Sequence, residues 1–282
     1  MKKHLLIGLL TGLMIVSGLA PVMAADKEVE LAYVEWSSEV ASTNVVKAVL
    51  QERMGYDCDI IPVSAAAMWQ ATATGDVAGL VAAWLPTTHG HYLEKVKDDV
   101  VNLGPNLEGT RIGLVVPTYV TIDTIGEMNE HADKFDGKII GIDPGAGIMS
   151  TTEKVLEAYK LDKIELMEGS GATMTAVLKN RIENNEWVCV TGWTPHWKFA
   201  KWDLKYLNDP KSVYGGAEYI STIVRKGLKE DKPEVYKFLD AFYWTPEDMQ
   251  QVMVWNSEGG EPYDNAVKWI KENKEKVDAW LK

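Results

Sequence analysis

The sequence has few cysteines, few histidines and a deficit of positive charge. Its two cysteines, Cys58 and Cys189, lie far apart in apolar, strand-like runs, which predicts buried thiols in two different lobes rather than a disulfide framework. Of the 5 histidines, His89 and His91 are the one close pair, and this spacing alone does not predict a metal site. With 29 basic against 41 acidic side chains, the charge argues against a nucleic-acid or anionic-lipid partner.

Long apolar runs are also scarce, since the sequence has one at residues 5–20 and no later one of membrane-spanning length. Lys2 and Lys3 precede this run, and residues 22–24 resemble a processing site. The pattern predicts a cleaved secretory signal peptide at residues 1–24. Because no cysteine follows the run, no lipid anchor is expected, and the mature protein is predicted to be free in the periplasm.

Motifs of catalysis and of nucleotide binding are missing as well. The sequence has no Gly-x-Ser-x-Gly elbow, and its cysteines lie in strand-like runs instead of at helix starts. A turn around Gly145 and Gly147 resembles a dinucleotide fingerprint, but the third glycine is absent. We therefore expect a non-enzymatic protein without a cofactor or a bound metal.

The order of the predicted elements indicates the fold class. Strand-like runs alternate with helical patterns in two successive series, and a mainly helical tail follows, which predicts an α/β protein with two lobes. Residues 25–115 are assigned to the first lobe and residues 116–213 to the second. Residues 214–282 are expected to return to the first lobe with C-terminal helices. Two strand-like segments, at 111–119 and 218–225, are the predicted crossovers.

Tryptophan is abundant where phenylalanine is rare, at 11 against 4 residues. Three of the tryptophans, Trp36, Trp84 and Trp193, stand at or near the predicted ends of strands. Ligands of open α/β sheets bind at the carboxyl ends of the strands, so we expect these three indoles to face one cleft. The tail tryptophans are assigned to core packing, whereas Trp69 and Trp197 are equally consistent with the core and with a supporting position behind the cleft.

The expected cleft combines groups that suit opposite charges. Indole faces attract cations, and a trimethylammonium group, which has no N–H to donate, favours such an apolar enclosure. The backbone N–H groups of Gly147 and Ile148 stand at a predicted helix start, where an anion is stabilised. His89 is placed to add one more donor. These groups together predict a binding site for a zwitterion with a methylated ammonium.

Four segments carry a specific resemblance: residues 32–36 (AYVEW), 83–89 (AWLPTTH), 141–149 (GIDPGAGIM) and 191–197 (TGWTPHW). They resemble motifs of the OpuAC-type glycine betaine-binding proteins, the substrate-binding subunits of ABC importers. The resemblance implies a two-lobed periplasmic-binding-protein fold of type II, an ABC transporter permease as partner and a role in osmoprotection. It also implies a three-tryptophan box around the ammonium, with two amides and a histidine on the carboxylate. The corresponding residues here are Trp36, Trp84 and Trp193 for the box and Gly147, Ile148 and His89 for the carboxylate.

Other interpretations of the same residues stay open. The ligand is alternatively another betaine-like solute, such as proline betaine, carnitine, choline or dimethylsulfoniopropionate. A periplasmic hydrolase of choline-like compounds is a third interpretation, from a different functional class. The protein is expected to be a monomer.

Overall fold

The computed structural model describes residues 27–282. The predicted signal peptide at residues 1–24 lies outside the described residues. Within the described range, no helix combines the length and the apolar character needed to cross a membrane.

Within residues 27–282, nine strands build the sheets of the two lobes. In chain order they are β1 (Glu28–Tyr33), β2 (Asp57–Pro62), β3 (Gly79–Leu85), β4 (Val100–Pro117), β5 (Lys138–Ile140), β6 (Glu165–Met167), β7 (Val190–Thr194), β8 (Leu204–Tyr206) and β9 (Glu218–Arg225). Their order across the sheet is β2-β1-β3-β9-β4-β7-β5-β6, with β8 paired to β4. The β1–β2, β1–β3, β5–β6 and β5–β7 pairs are parallel, as the βα alternation of the sequence predicts.

Helices cover these strands and form the C-terminal region. They are α1 (Ser37–Glu52), α2 (Ala65–Thr74), α3 (Gly90–Val96), α4 (Gly147–Tyr159), α5 (Gly171–Glu183), α6 (Lys198–Lys201), α7 (Leu228–Asp231), α8 (Pro233–Ala241), α9 (Pro246–Glu258), α10 (Pro262–Glu272) and α11 (Lys274–Trp280), with a 3₁₀ segment at Ile125–Phe135. Both α9 and α10 pack against α1. Trp244, Trp269 and Trp280 lie in the core, with the rings of Trp269 and Trp280 stacked at 5.9 Å.

The long strand β4 belongs to both lobes. From Val100 to Thr110 it pairs with β9, and from Arg111 to Pro117 it pairs with β7 and β8. The sequence predicts a β segment at 111–119, so the first half of the strand was missed. Glycine, proline and asparagine interrupt that half, and its ladder with β9 contains three register shifts. Such bulged strands lack the regular alternation by which strands are recognised.

Both cysteines are free and buried, as the sequence predicts. Burial raises the pKa of the Cys58 thiol to about 12 and raises that of Cys189 further above its ordinary value. Neither thiol is therefore ionised at neutral pH, which fits a packing role.

Candidate binding site

A cavity lies between the two lobes, at the carboxyl ends of β3 and β7 and at the start of α4. The empty space inside it, counted together with its opening to solvent, is about 310 Å³. All six residues that the sequence predicts for the site line this cavity. The complete lining is Trp36, Ser38, Trp84, Thr88, His89, Ile112, Ile142, Ala146, Gly147, Ile148 and Trp193.

The first lobe contributes two of the three indoles. Trp84 is the penultimate residue of the fully buried strand β3, and its Nε1–H donates to Oε1 of Glu39 at 2.9 Å. The sequence predicts that Trp36 ends the first strand, and this is wrong, because β1 already ends at Tyr33. Trp36 is instead the N-cap residue of α1. Its Nε1–H donates to Oδ2 of Asp143 at 2.6 Å. Each of these indoles is thus held at its edge by the carboxyl group of an acidic side chain, which leaves the ring faces for contact.

The second lobe contributes the third indole. Trp193 lies near the end of β7 and is 5% exposed. The antiparallel register with β4 places Ile112 opposite it, which explains how this aliphatic side chain enters the cavity lining. His196 meets the Trp193 ring edge-on at 4.7 Å, and Nζ of Lys198 lies 4.4 Å from its centroid. Burial lowers the pKa of both His196 and Lys198 well below their ordinary values.

The start of α4 forms the polar end of the cavity. Gly147 and Ile148 are the first two residues of this helix of 13 residues, and Ala146 provides no side-chain cap. The first backbone N–H groups of a helix have no partner within it, and they carry the positive end of the helix dipole. These two amides are therefore available to an anionic group in the cavity.

His89 is a neutral, buried imidazole. Its ring stacks on Trp36 with centroids 5.7 Å apart, and its Nδ1 accepts the backbone N–H of Trp84 at 3.1 Å. Burial, reinforced by His91, lowers the pKa of His89 to about 3, and a hydrogen bond with the backbone of Ala82 opposes this shift. A neutral ring that accepts at Nδ1 carries its proton on Nε2, so His89 has a single N–H, for which the backbone of Ala82 and an anionic ligand would compete.

The lobes touch each other around the cavity. A Cβ atom built on Gly147 would lie 2.1 Å from the carbonyl oxygen of Thr88, so the two backbones approach more closely than any other residue permits. Away from this contact, Tyr92 donates its hydroxyl to the carbonyl of Gly145 at 2.8 Å. The cavity is thus held between lobes that are already in contact, and a glycine is required where they meet.

A buried carboxylate on β9 fixes the loop that carries His89. Oε1 of Glu218 accepts the backbone N–H groups of Thr87 at 2.7 Å and of Thr88 at 2.8 Å. Sequence reasoning missed Glu218, Glu39 and Asp143, the three acids that support the site. The signal that was available for Glu218 is an acidic residue at the start of a strand-like run that contains no other acidic residue.

The two tryptophans that sequence left undecided have supporting positions. Trp69 is buried, with its ring edge-on to His89 at 6.2 Å and stacked on Tyr92 at 6.3 Å. Trp197 donates Nε1–H to Oγ of Ser37 at 3.2 Å. Neither side chain lines the cavity, and both contact residues that do or that adjoin it.

Two α/β lobes that share strand β4 and enclose an aromatic cavity define a solute-binding protein of the periplasmic type. The chain matches, over residues 27–272, the model of the OpuAC family, described as the substrate binding domain of the ABC-type glycine betaine transport system. The chain belongs to this family. The match confirms the resemblance drawn from the four sequence segments.

Individual relatives agree with this assignment. The glycine betaine/carnitine transport binding protein GbuC of Listeria monocytogenes is 53% identical over 170 residues, which is 60% of this chain and 55% of the relative. The chain therefore aligns with little more than half of that curated protein. The crystal structure of lactococcal OpuAC, closed and complexed with glycine betaine, has 44% identity and a TM-score of 0.87, covering 91% of this chain and 100% of the other. The glycine/betaine/L-proline-binding protein ProX of Borrelia burgdorferi has 43% identity and a TM-score of 0.87, covering 91% and 97%.

These structures confirm the predicted two-lobed α/β fold of type II. The residue boundaries assigned to the lobes stay predictions. The roles of the six cavity residues in binding a ligand also stay predictions at this point.

Proposed function

We propose that this protein captures glycine betaine between its lobes and delivers it to the permease of an ABC importer, in the service of osmoprotection. One observation carries the proposal. Three indoles, two helix-start amides and one neutral histidine, taken from four separate segments of the sequence, line a single cavity.

The cationic end of the ligand is assigned to Trp36, Trp84 and Trp193. Each cation–π contact contributes about 0.5–2 kcal/mol, depending on how far the cation is desolvated. All three indoles are less than 8% exposed, so a bound cation would be shielded from water on these sides. Ile112 and Ile142 add apolar surface for the methyl groups.

The carboxylate is assigned to the opposite end of the cavity. The backbone N–H groups of Gly147 and Ile148 and Nε2–H of His89 are three donors, and hydrogen bonds to a charged acceptor contribute about 1.5–3 kcal/mol each. Choline has a hydroxyl group in place of the carboxylate, so it would forgo most of this stabilisation. The preferred solute is therefore a zwitterion with both ends charged.

Binding proceeds by closure of the lobes on the ligand. Trp36, Trp84 and His89 belong to the lobe built on β3, whereas Trp193 and the start of α4 belong to the other. A ligand that touches both sets stabilises the closed form that a permease recognises. Micromolar affinity corresponds to about −8 kcal/mol, which the contacts above supply after the cost of closure.

The chain's place in the cell follows from this role. We propose that residues 1–24 direct export, that the mature protein works as a monomer in the periplasm, and that it performs no chemistry on its ligand. Glycine betaine should be recovered unchanged after prolonged incubation, as checked by NMR spectroscopy. An ester of choline incubated in the same way should also persist, and release of free choline from it would support the hydrolase alternative.

Calorimetric titration tests the proposal. Residues 25–282 are titrated with glycine betaine, carnitine and choline, and we expect saturable binding of one glycine betaine per chain, with choline much weaker. Trp193→Ala should weaken the binding of glycine betaine at least about tenfold, because one cation–π contact and the surface buried with it are lost. Trp255→Ala is the matched control, because Trp255 lies on α9 beside Lys268 and does not line the cavity. Equal affinity of the Trp193→Ala variant and the wild type would refute the site.

Carnitine is the second candidate ligand. It carries the same trimethylammonium and carboxylate groups, and the Listeria relative is named for both solutes. The longer spacer of carnitine places its two charges farther apart, whereas the separation between the indoles and the start of α4 is limited by the contact of Gly147 with Thr88. We therefore expect glycine betaine to bind more tightly, and the reverse order in the same titration would reassign the ligand.

A further inference from the structure

A buried carboxyl group lies directly behind the cavity. Glu39 stands in the first turn of α1 and is 1% exposed. Its Oε1 accepts Nε1–H of Trp84 at 2.9 Å and the hydroxyl of Ser38 at 3.5 Å, while its Oε2 is buried without a hydrogen-bond partner among the described residues. Trp84 and Ser38 both line the cavity, so one indole separates this carboxyl group from it.

Fold stability does not account for an acid at this position. Burying a carboxylate is costly, and a neutral glutamine would accept the same N–H of Trp84. Burial raises the pKa of Glu39 to about 8, and the hydrogen bonds from Trp84 and Ser38 oppose the shift. In the ligand-free protein at neutral pH, Glu39 is therefore mostly protonated.

A cation in the cavity changes this balance. An opposite charge nearby favours the ionised form of a carboxyl group, and the effect is larger where water is excluded. The ionised carboxylate would also strengthen its hydrogen bond with Trp84 and polarise the indole toward the cation. The carboxylate and the bound cation thus stabilise each other across one ring.

The other ionisable groups around the cavity do not compensate for this charge. The pKa of His89 is lowered to about 3 by burial, so it stays neutral above pH 5. Behind Trp193, burial lowers the pKa of Lys198 and His196 well below their ordinary values. Four other ionisable side chains lie on the elements around Glu39. Asp143 accepts the N–H of Trp36 from the other lobe, and Tyr263 of α10 donates to Glu52. Glu35 is exposed just before α1, and Lys47 lies farther along α1. On α9, Met253 and Asn256 share a cleft with the start of α1, and both are uncharged.

We propose that Glu39 is a positioning residue for the cationic end of the ligand, and that it acts through Trp84 by losing its proton when the methylated ammonium enters the cavity. The inference rests on the proposed function. One O–H bond of the carboxyl group is broken, its electron pair stays on the carboxylate, and the proton passes to the buffer. Glycine betaine binding is therefore coupled to proton release.

The coupling has a definite sign. The complex binds fewer protons than the free protein, so affinity rises with pH up to about pH 8 and then levels off. Each unit by which the cation lowers the pKa of Glu39 contributes about a tenfold gain in affinity at high pH. A protein with an uncharged residue in place of Glu39 should show neither effect.

Calorimetry in buffers of different ionisation enthalpy measures the released protons. For the wild type at pH 7 we expect release of about half to one proton per glycine betaine bound, and affinity that increases between pH 5.5 and pH 8. Glu39→Gln retains the acceptor for Trp84 and should bind with no proton release, with a flat pH profile and with at least about tenfold weaker affinity at pH 8. Glu35→Gln removes a similar charge from the surface four residues away, and it should behave as the wild type.

The outcomes separate this inference from the proposed function. Wild-type binding without proton release refutes the role of Glu39 and leaves glycine betaine capture standing, and this result needs no variant. Proton release that persists in a folded Glu39→Gln variant also refutes it, since another group would be the source. Absence of wild-type binding at every pH refutes the proposed function itself.

Discussion

Gly147→Ala is the substitution that examines lobe closure most selectively. A Cβ atom at this position would lie 2.1 Å from the carbonyl oxygen and 2.8 Å from the carbonyl carbon of Thr88, below the 3.0 Å that such contacts respect. The backbone of Thr88 is held by Glu218 and cannot easily move aside. The two lobes must therefore stay farther apart than they do around glycine.

The magnitude follows from the cost of overpacking. Inserting a methyl group into a filled contact costs about 1–3 kcal/mol, which corresponds to glycine betaine affinity weakened about 5- to 150-fold. In the proposed open form Gly147 and Thr88, which lie in different lobes, separate, so the cost should fall on the closed form alone. The melting temperature of the ligand-free variant should therefore be unchanged or slightly higher than that of the wild type, because alanine restricts the conformations of the unfolded chain more than glycine does.

Gly171→Ala provides the matched control. Gly171 is the first residue of α5, as Gly147 is of α4, and a Cβ atom there meets nothing within 4 Å. Calorimetric titration of both variants should show weakened binding for Gly147→Ala alone. If Gly147→Ala binds glycine betaine within about twofold of the wild type, the close approach of the two backbones is not part of the ligand-bound state, and the closure argument is wrong.

Three further predictions concern the groups around the site and the core. Asp143→Ala removes the acceptor of Trp36 Nε1–H. Because a hydrogen bond to a carboxylate contributes about 1.5–3 kcal/mol, glycine betaine should dissociate about tenfold faster or more in stopped-flow experiments. An unchanged dissociation rate would contradict this prediction. Cys58 and Cys189 are buried with raised pKa values, so a thiol reagent should modify both in urea and neither in the native protein. Rapid labelling of the native protein would contradict the burial of these thiols. The raised pKa of Glu39 means that the folded protein binds more protons than the unfolded chain between about pH 4.5 and pH 8. The ligand-free protein should therefore lose stability as pH rises through this window. If the melting temperature changes with pH equally in the wild type and in Glu39→Gln, this prediction is wrong.

The sequence predicted the fold class and six residues of the cavity lining because these depend on local signals. Trp84 and Trp193 end apolar strand-like runs, and Gly147 opens a helix after a glycine-rich turn. In parallel α/β units such positions lie at the same edge of a sheet. Composition added to this, since tryptophan in excess over phenylalanine singled out the indoles.

What sequence alone did not predict depends on contacts between distant segments. Asp143 contacts Trp36 across 107 positions, and Glu218 contacts Thr87 across 131. Nothing in the local pattern around an acidic residue tells whether it lies on the surface or inside. Glu39 is an example, because α1 is buried on nearly all sides and its polar residues are inside as well. Strand β4 was predicted only in part for a related reason, since its irregular half is held by pairing with β9.

The central claim is that the indoles recognise positive charge and not merely shape. 3,3-Dimethylbutanoate has the same shape and carboxylate as glycine betaine, with a neutral carbon in place of the charged nitrogen. Three cation–π contacts of about 0.5–2 kcal/mol each predict that it binds at least about tenfold more weakly in competition calorimetry, even though its head group is the more easily dehydrated of the two. Equal or tighter binding of the neutral analogue would contradict the account.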